Sequence, residues 1–200
     1  MKDRDERLKK LELISPFSVL HAKRMRVSQR MLHYYVKKGE LVRVAQGIYS
    51  TPRAYQKTFE FYLRQALLAI PQGFVGLKTA LRLHDVWGTD ESEIHMIVPT
   101  SNVPKRKLPH VHLYQVHSKI YKLETTTLRS IPITTLERTL VDLIRKGEAL
   151  SVVFAIAKSI QQKKIELDFG KLKELSRIFR VKSKMNLLLE VLPKRQLRVP

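Results

Sequence analysis

The spacing of apolar residues changes at Gly39, and this change limits what the first third of the chain can fold into. Before the glycine, apolar side chains recur at helical spacing. Ser28 is a favourable N-cap for such a helix, and Gly39 is a favoured left-handed residue at its end. After the glycine, residues 41–50 alternate like two short strands around a turn at Gly47. The pattern therefore predicts a helix from Gln29 to Lys38 that leads into a β-hairpin.

Two shorter helices are predicted before this one. Leu8 and Leu11 give the first helix a thin apolar stripe among charged residues. The second would run from Pro16 to about Lys23, because Ser15 is a good N-cap and proline costs nothing in the first helical turn. Three helices followed by a hairpin are typical of a winged helix-turn-helix, which we place at residues 1–53.

The rest of the chain, residues 54–200, predicts a larger α+β domain with a small sheet and a C-terminal cluster of helices. Helical patterns occupy residues 54–70, 76–84, 134–146, 148–162, 168–180 and 184–192. Strands are expected at residues 94–98, 111–116 and 131–133. The helix that opens at Thr134 is indicated by the capping-box spacing of Thr134 and Glu137. The predicted fold class is therefore α+β, with two domains.

Positive charge narrows the choice of partner. The chain carries 38 Lys and Arg against 18 Asp and Glu, a formal net charge of +20. Residues 1–50 contribute +7 and residues 51–100 are neutral, whereas the stretches 101–150 and 151–200 contribute +5 and +8. A simple basic tail does not explain this distribution. Because a polyanion would screen so much self-repelling charge, nucleic acid is the first partner to consider.

The third helix of a helix-turn-helix enters the major groove, where side chains near its start meet base edges. We therefore predict that Gln29, Arg30 and His33 contact bases, since glutamine suits adenine and arginine suits guanine. Ser28 and Lys37 would hold the DNA backbone. The other predicted contacts are Tyr34 in either role, Arg24 and Arg26 at phosphates before the helix, and Arg43 and Gln46 at the turn of the hairpin.

Two interpretations of the same residues that do not involve DNA remain open. The charges could simply solvate the surface of a small domain. Winged helices also serve as docking modules for other proteins. The basic character of the segment is what favours DNA over both.

Sequence motifs for catalysis, cofactor binding and metal binding were not found. The chain has no GxxxxGK, GxGxxG or HExxH motif, and no acidic residue lies two positions before a lysine, as a restriction-type nuclease needs. The chain has no cysteine and no apolar run long enough to span a membrane, and its charged first ten residues lack the apolar run expected of a signal peptide. We expect a cytoplasmic protein that makes no membrane contact, is not an enzyme and needs no cofactor.

Two histidines and one aspartate could also indicate a metal site or a catalytic residue. His110 and His112 would share one face of a strand, but two imidazoles without a matched carboxylate or thiolate are usually surface residues. Asp142 could act as a lone catalytic acid, although an ion pair with Arg138 or Arg145 on the helix surface fits its spacing better. We therefore predict no metal site and no catalytic residue.

Several short segments together carry a family resemblance. In the N-terminal third they are Val27-Ser28, Leu32, 39–44 and 47–49. Farther along they are Thr79-Ala80, Leu83-His84, 94–99, Val111-His112, Ile133-Thr134 and 138–142. In these residues the chain resembles the AbiEi-type antitoxins, the transcriptional regulators of type IV toxin-antitoxin pairs. The resemblance covers nearly the whole chain, through packing and turn residues and not through a catalytic signature.

This resemblance implies two activities. The winged helix would bind promoter DNA of its own operon and repress it, and the C-terminal domain would counteract a nucleotidyltransferase-like toxin from the adjacent gene.

The basic segments 105–107 and 171–198 could meet an acidic toxin, RNA or the flanks of the operator, or they could be solvated surface. The alternatives are a stand-alone winged-helix repressor without a toxin and a nucleic-acid-processing enzyme related to repair endonucleases.

Overall fold

The computed structural model of the chain describes residues 2–88, 93–105 and 108–191. The fold is mixed α+β, with small sheets and helices toward the C-terminal end. The described residues form two compact units. The N-terminal unit contains residues up to 72 together with those of 93–94 and 104–111, and the C-terminal unit contains the others. This division falls later than the predicted boundary after residue 53.

The N-terminal unit contains both helices and short strands. Its elements are α1 (Lys2–Leu13), β1 (Phe17–Ser18), α2 (Val19–Arg24), α3 (Gln29–Lys37), β2 (Val42–Ala45), β3 (Ile48–Ser50) and α4 (Phe59–Ala69). The strands form one sheet in the order β1-β3-β2, and both pairings are antiparallel. The helix predicted to begin at Gln29 and the hairpin that follows it are therefore confirmed as local structure.

β1 replaces the predicted start of the second helix, which is wrong by three residues. The N-cap of α2 is Ser18, whose hydroxyl accepts a hydrogen bond from the backbone N–H of His21 at 3.3 Å. Phe17 instead pairs with Tyr49 across the sheet, and the two rings stack with centroids 6.2 Å apart. Because Phe17 is fully buried there, removal of its ring from water favours extended backbone over helix.

A second sheet and most of the helices make up the remainder of the described chain. The elements are β4 (Phe74–Val75), α5 (Leu77–Leu83), β5 (Ile94–Pro99), β6 (Val111–Val116), β7 (Thr125–Leu128), β8 (Ile131–Thr134), α6 (Leu136–Lys146), α7 (Leu150–Gln162), α8 (Phe169–Ile178) and α9 (Lys182–Val191). The strand order is β6-β5-β4-β8-β7, and β4 runs parallel to β8. β4 and β7 were not predicted, because one has two residues and the other begins with three threonines in place of an apolar alternation.

α6 is the central helix of the C-terminal core. Leu140, Val141 and Ile144 are buried in one large apolar cluster with side chains of the neighbouring helices. The helix is capped by Thr135, one residue later than predicted because Thr134 belongs to β8. The longest helix of the described residues, α7, has 13 residues, and none of the helices found there is long and apolar enough to cross a membrane.

Candidate nucleic-acid interface

α3 turns one face toward the core and the other toward solvent. Leu32 and Tyr35 are buried in the N-terminal core. Ser28 caps the helix as predicted, since its hydroxyl accepts a hydrogen bond from the backbone N–H of Met31 at 3.3 Å. The start of a helix also carries a partial positive charge from its aligned peptide dipoles. The outer face of α3 and its first turn are therefore accessible to a ligand.

All six contacts predicted on or at the start of this helix lie on its exposed face. They are Ser28, Gln29, Arg30, His33, Tyr34 and Lys37. The Tyr34 ring is 42% exposed, lies edge-on to Tyr35 with centroids 5.9 Å apart, and has the Nζ atom of Lys38 5.1 Å from its centroid. Lys38, which the sequence pattern did not single out, thus extends the cationic face to the end of the helix.

Two more of the predicted residues are exposed where α2 ends: Arg24 is the last residue of α2, and Arg26 lies in the turn to α3. Arg26 has a φ of 59°, and its carbonyl accepts a hydrogen bond from Nη1 of Arg7 at 3.1 Å. The backbone N–H of Val27 donates to the carbonyl of Ala22 at 2.9 Å. The backbone of the turn is thus held both by α2 and by Arg7 of α1, and the two arginine side chains are exposed.

A groove of about 450 Å³ opens at this turn. Its lining is formed by Val19, Lys23, Arg26, Val27, Ser28 and Gln29. Lys23 and Arg26 are exposed cations, and the start of α3 adds its dipole. This combination suits an oxyanion such as a phosphate. Lys23 was missed from the sequence, because it lies on the preceding helix and becomes a neighbour of Ser28 only through the turn.

The hairpin exposes the last two predicted contacts. Arg43 lies in β2 and Gln46 in the turn, and both side chains are exposed. Gly47 completes the turn with a φ of 71°, a left-handed conformation that favours glycine. Its carbonyl accepts a hydrogen bond from the backbone N–H of Val19 at 2.9 Å, so the turn is fastened to the start of α2.

α4 supports the hairpin from within the same unit. Gln65 is only 4% exposed, and its Nε2 donates a hydrogen bond to the carbonyl of Val44 at 3.3 Å. This supporting residue was also missed. The signal for it was a glutamine inside an apolar helical stripe, because a buried amide needs a polar partner.

The charge around α2 and α3 is one-sided. Between Glu12 and Glu40 the chain has six basic residues and no acidic one. These six cations are all exposed: Lys23, Arg24, Arg26, Arg30, Lys37 and Lys38. Mutual repulsion among so many like charges raises the free energy of the isolated surface. Binding of a polyanion would lower that free energy by screening the repulsion.

The chain matches no protein-family model, and no curated protein gives a significant match.

The two histidines predicted to share a strand face have different stacking partners. His110 has a φ of 62° and stacks on Tyr62, with ring centroids 4.2 Å apart. His112 stacks on His95 at 5.4 Å, and Nδ1 of His95 lies 3.3 Å from Oγ1 of Thr79. Among the residues that the structure describes, no group of three or more His, Cys, Asp or Glu is arranged to hold a metal ion.

The prediction of a surface ion pair for Asp142 is wrong, because the pair is buried. Nε of Arg138 lies 2.7 Å from Oδ2 of Asp142, and both side chains have no exposed area. Nη1 of Arg138 donates to the carbonyls of Ile120 at 3.3 Å and Leu123 at 2.7 Å. The guanidinium carbon also lies 4.1 Å from the ring centroid of Phe179. The pair thus ties α6 to the connection between β6 and β7.

Burial controls the ionisation of this pair. Burial raises the pKa of Asp142, although the neighbouring Arg138 acts in the opposite direction. Burial likewise lowers the pKa of Arg138, opposed by the attraction and hydrogen bond of Asp142. Since each charge is out of water, each depends on the other, and the pair is a structural element of the C-terminal core.

Proposed function

We propose that the chain is a DNA-binding transcriptional regulator that represses its own operon and acts as the antitoxin of a type IV toxin-antitoxin pair. The observation that carries the DNA-binding part is the exposed cationic face of α3, which begins directly after the turn from α2 and leads into the β2–β3 hairpin. Two helices joined by a turn and followed by a hairpin are the parts of a winged helix-turn-helix. We assign that role to the N-terminal unit.

In this proposal α3 lies in the major groove of the duplex. That groove is about 12 Å wide and admits a helix. Gln29, Arg30 and His33 meet base edges, and a bidentate contact from Arg30 to a guanine provides about 1–3 kcal/mol of discrimination against other bases. Lys37 lies farther along the helix and binds backbone without regard to sequence.

Backbone phosphates are bound at two places in this interface. One phosphate lies in the groove beside the start of α3, where Lys23, Arg26 and the helix dipole act together. Arg43 and Gln46 on the hairpin reach a second phosphate or the minor groove. Each phosphate that is neutralised steepens the dependence of log affinity on log salt by about 0.9.

Binding to the DNA upstream of the chain's own coding sequence tests this function. The full chain is titrated into a fluorescent duplex of that region and into a scrambled duplex of equal length. The wild type is expected to prefer its own duplex, and Arg30→Ala to lose both affinity and preference. Lys37→Ala is expected to lower affinity for both duplexes by the same factor.

Lys158→Ala provides the matched control, since Lys158 is an exposed lysine of α7 and its removal changes the net charge by the same amount. We expect this variant to bind like the wild type. If Arg30→Ala bound both duplexes as the wild type does, α3 would not be the recognition helix and the proposal would be rejected.

The antitoxin part rests on the resemblance of the chain to AbiEi-type antitoxins. Its partner would be a nucleotidyltransferase-like toxin encoded by the adjacent gene, in the cytoplasm, and no catalysis by the chain itself is proposed. Co-expression from unrelated promoters tests it. The chain should restore growth that the toxin arrests, and Arg30→Ala should restore it equally, because neutralisation does not need promoter DNA. If neither the wild-type chain nor Arg30→Ala restored growth, the antitoxin part would be rejected, and the chain would be a repressor without a toxin partner.

A further inference from the structure

A segment distant in sequence belongs to the unit that carries α3 and the hairpin. The described residues of 104–111 follow β5 along the chain, yet they fold with the N-terminal unit. The ring of His110 stacks on Tyr62 of α4 with centroids 4.2 Å apart. The carbonyl of His110 accepts a hydrogen bond from the backbone N–H of Ile94 at 2.7 Å. These contacts anchor the end of the segment.

The segment and the hairpin line a common groove of about 380 Å³. On one side are Ala45 and Gln46 at the turn of the hairpin, and on the other are Pro104, Lys105 and Leu108. Lys105 and Gln46 are exposed, whereas the other three are partly buried. The groove therefore presents a cation and an amide at its mouth, above walls that are mostly apolar.

We propose that Lys105 binds a DNA phosphate next to the hairpin, so that Lys105 and the groove it lines form an outer edge of the DNA interface. This inference rests on the proposed function. A sugar-phosphate backbone fits the groove because the charge that the groove offers is positive, within a chain whose net charge is +20. Pro104 beside the lysine fixes its own φ, which lowers the entropy lost when Lys105 is held at a phosphate.

The experiment measures binding of the full chain to the duplex of its own upstream region over a series of salt concentrations. Lys105→Ala is compared with the wild type, with Lys105→Arg and with Lys9→Ala, which removes an exposed lysine of α1 in the same unit. Lys105→Ala should weaken binding about 3- to 10-fold and reduce the salt slope by about 0.9, with the preference over scrambled DNA unchanged. Lys105→Arg and Lys9→Ala should bind like the wild type.

A hydroxyl-radical footprint adds a readout of position. In the Lys105→Ala footprint, protection should disappear at sugars on one edge of the site and persist in its centre. If Lys105→Ala keeps the wild-type slope and footprint while Arg30→Ala loses binding, the inference about Lys105 is overturned and the proposed function stands. If the wild type itself does not prefer its own duplex, both are overturned.

Discussion

One notable set of charged residues in each unit differs sharply in its exposure to solvent. In the N-terminal unit the six cations between Glu12 and Glu40 all reach solvent. In the C-terminal unit Arg138 and Asp142 are fully buried, and Thr134 and Thr139 share an internal hydrogen bond at 2.8 Å. All four residues lie in segments 133–134 and 138–142, two of those in which the chain resembles the AbiEi-type antitoxins. The comparison teaches that a distinctive motif can reflect core packing, whereas the proposed DNA interface is marked by an ordinary run of exposed cations.

The largest effect is expected from breaking the buried pair. Arg138→Leu leaves Asp142 charged and out of water, and it removes the hydrogen bonds to the carbonyls of Ile120 and Leu123. We expect a loss of about 3–5 kcal/mol in the free energy of unfolding. Trp87, the single tryptophan, lies in the C-terminal unit and contacts its core. Its fluorescence during urea unfolding therefore measures this loss.

Two further variants test whether the unpaired buried charge causes that loss of stability. Lys146→Ala, at an exposed position of the same helix, should leave the urea midpoint unchanged. The double variant Arg138→Leu with Asp142→Leu should recover part of the lost stability, because no buried charge then lacks a partner. A midpoint for Arg138→Leu equal to that of the wild type would contradict the structural role of the pair.

The next largest loss of stability is expected from a substitution at Gly76, which also lies in the C-terminal unit. A Cβ atom at this position would overlap the side chain of Ile97 on the neighbouring strand. Gly76→Ala is therefore expected to cost about 1–3 kcal/mol of stability by overpacking. Gly88→Ala is the matched control, since a Cβ there meets no atom within 4 Å. Combining Gly76→Ala with Ile97→Val should relieve the overlap with Cδ1 of Ile97 but not that with Cγ1, and so recover part of the lost stability; no recovery would argue against this cause.

Local signals made part of the fold predictable. α3 and its hairpin follow from a serine cap, helical spacing and two glycines with left-handed φ values, all within about twenty residues. β1 depends on Phe17 pairing with Tyr49, which lies far along the chain, so no local pattern predicts it. The burial of Asp142 was missed for the same reason, because helical spacing gives its neighbour Arg138 but not the distant Phe179 and Leu123 that cover the pair.

The helix cap gives the smallest effect and belongs to the N-terminal unit. Ser28→Ala removes the acceptor for the Met31 N–H and should cost about 1 kcal/mol. Far-UV circular dichroism should register this loss during urea unfolding, whereas Trp87 fluorescence should not if the two units unfold separately. Ser151→Ala, at an exposed position of α7, is the control. An unchanged transition for Ser28→Ala would show that the cap contributes nothing.

Tethered cleavage of DNA tests most directly whether the exposed face of α3 meets the duplex. The chain has no cysteine, so His33→Cys creates one attachment site for an iron chelate that cuts nearby DNA. Lys9→Cys on α1 serves as the control. The account predicts cuts from His33→Cys clustered inside the site in the upstream duplex, and few from Lys9→Cys. Equal, scattered cleavage by both conjugates would contradict it.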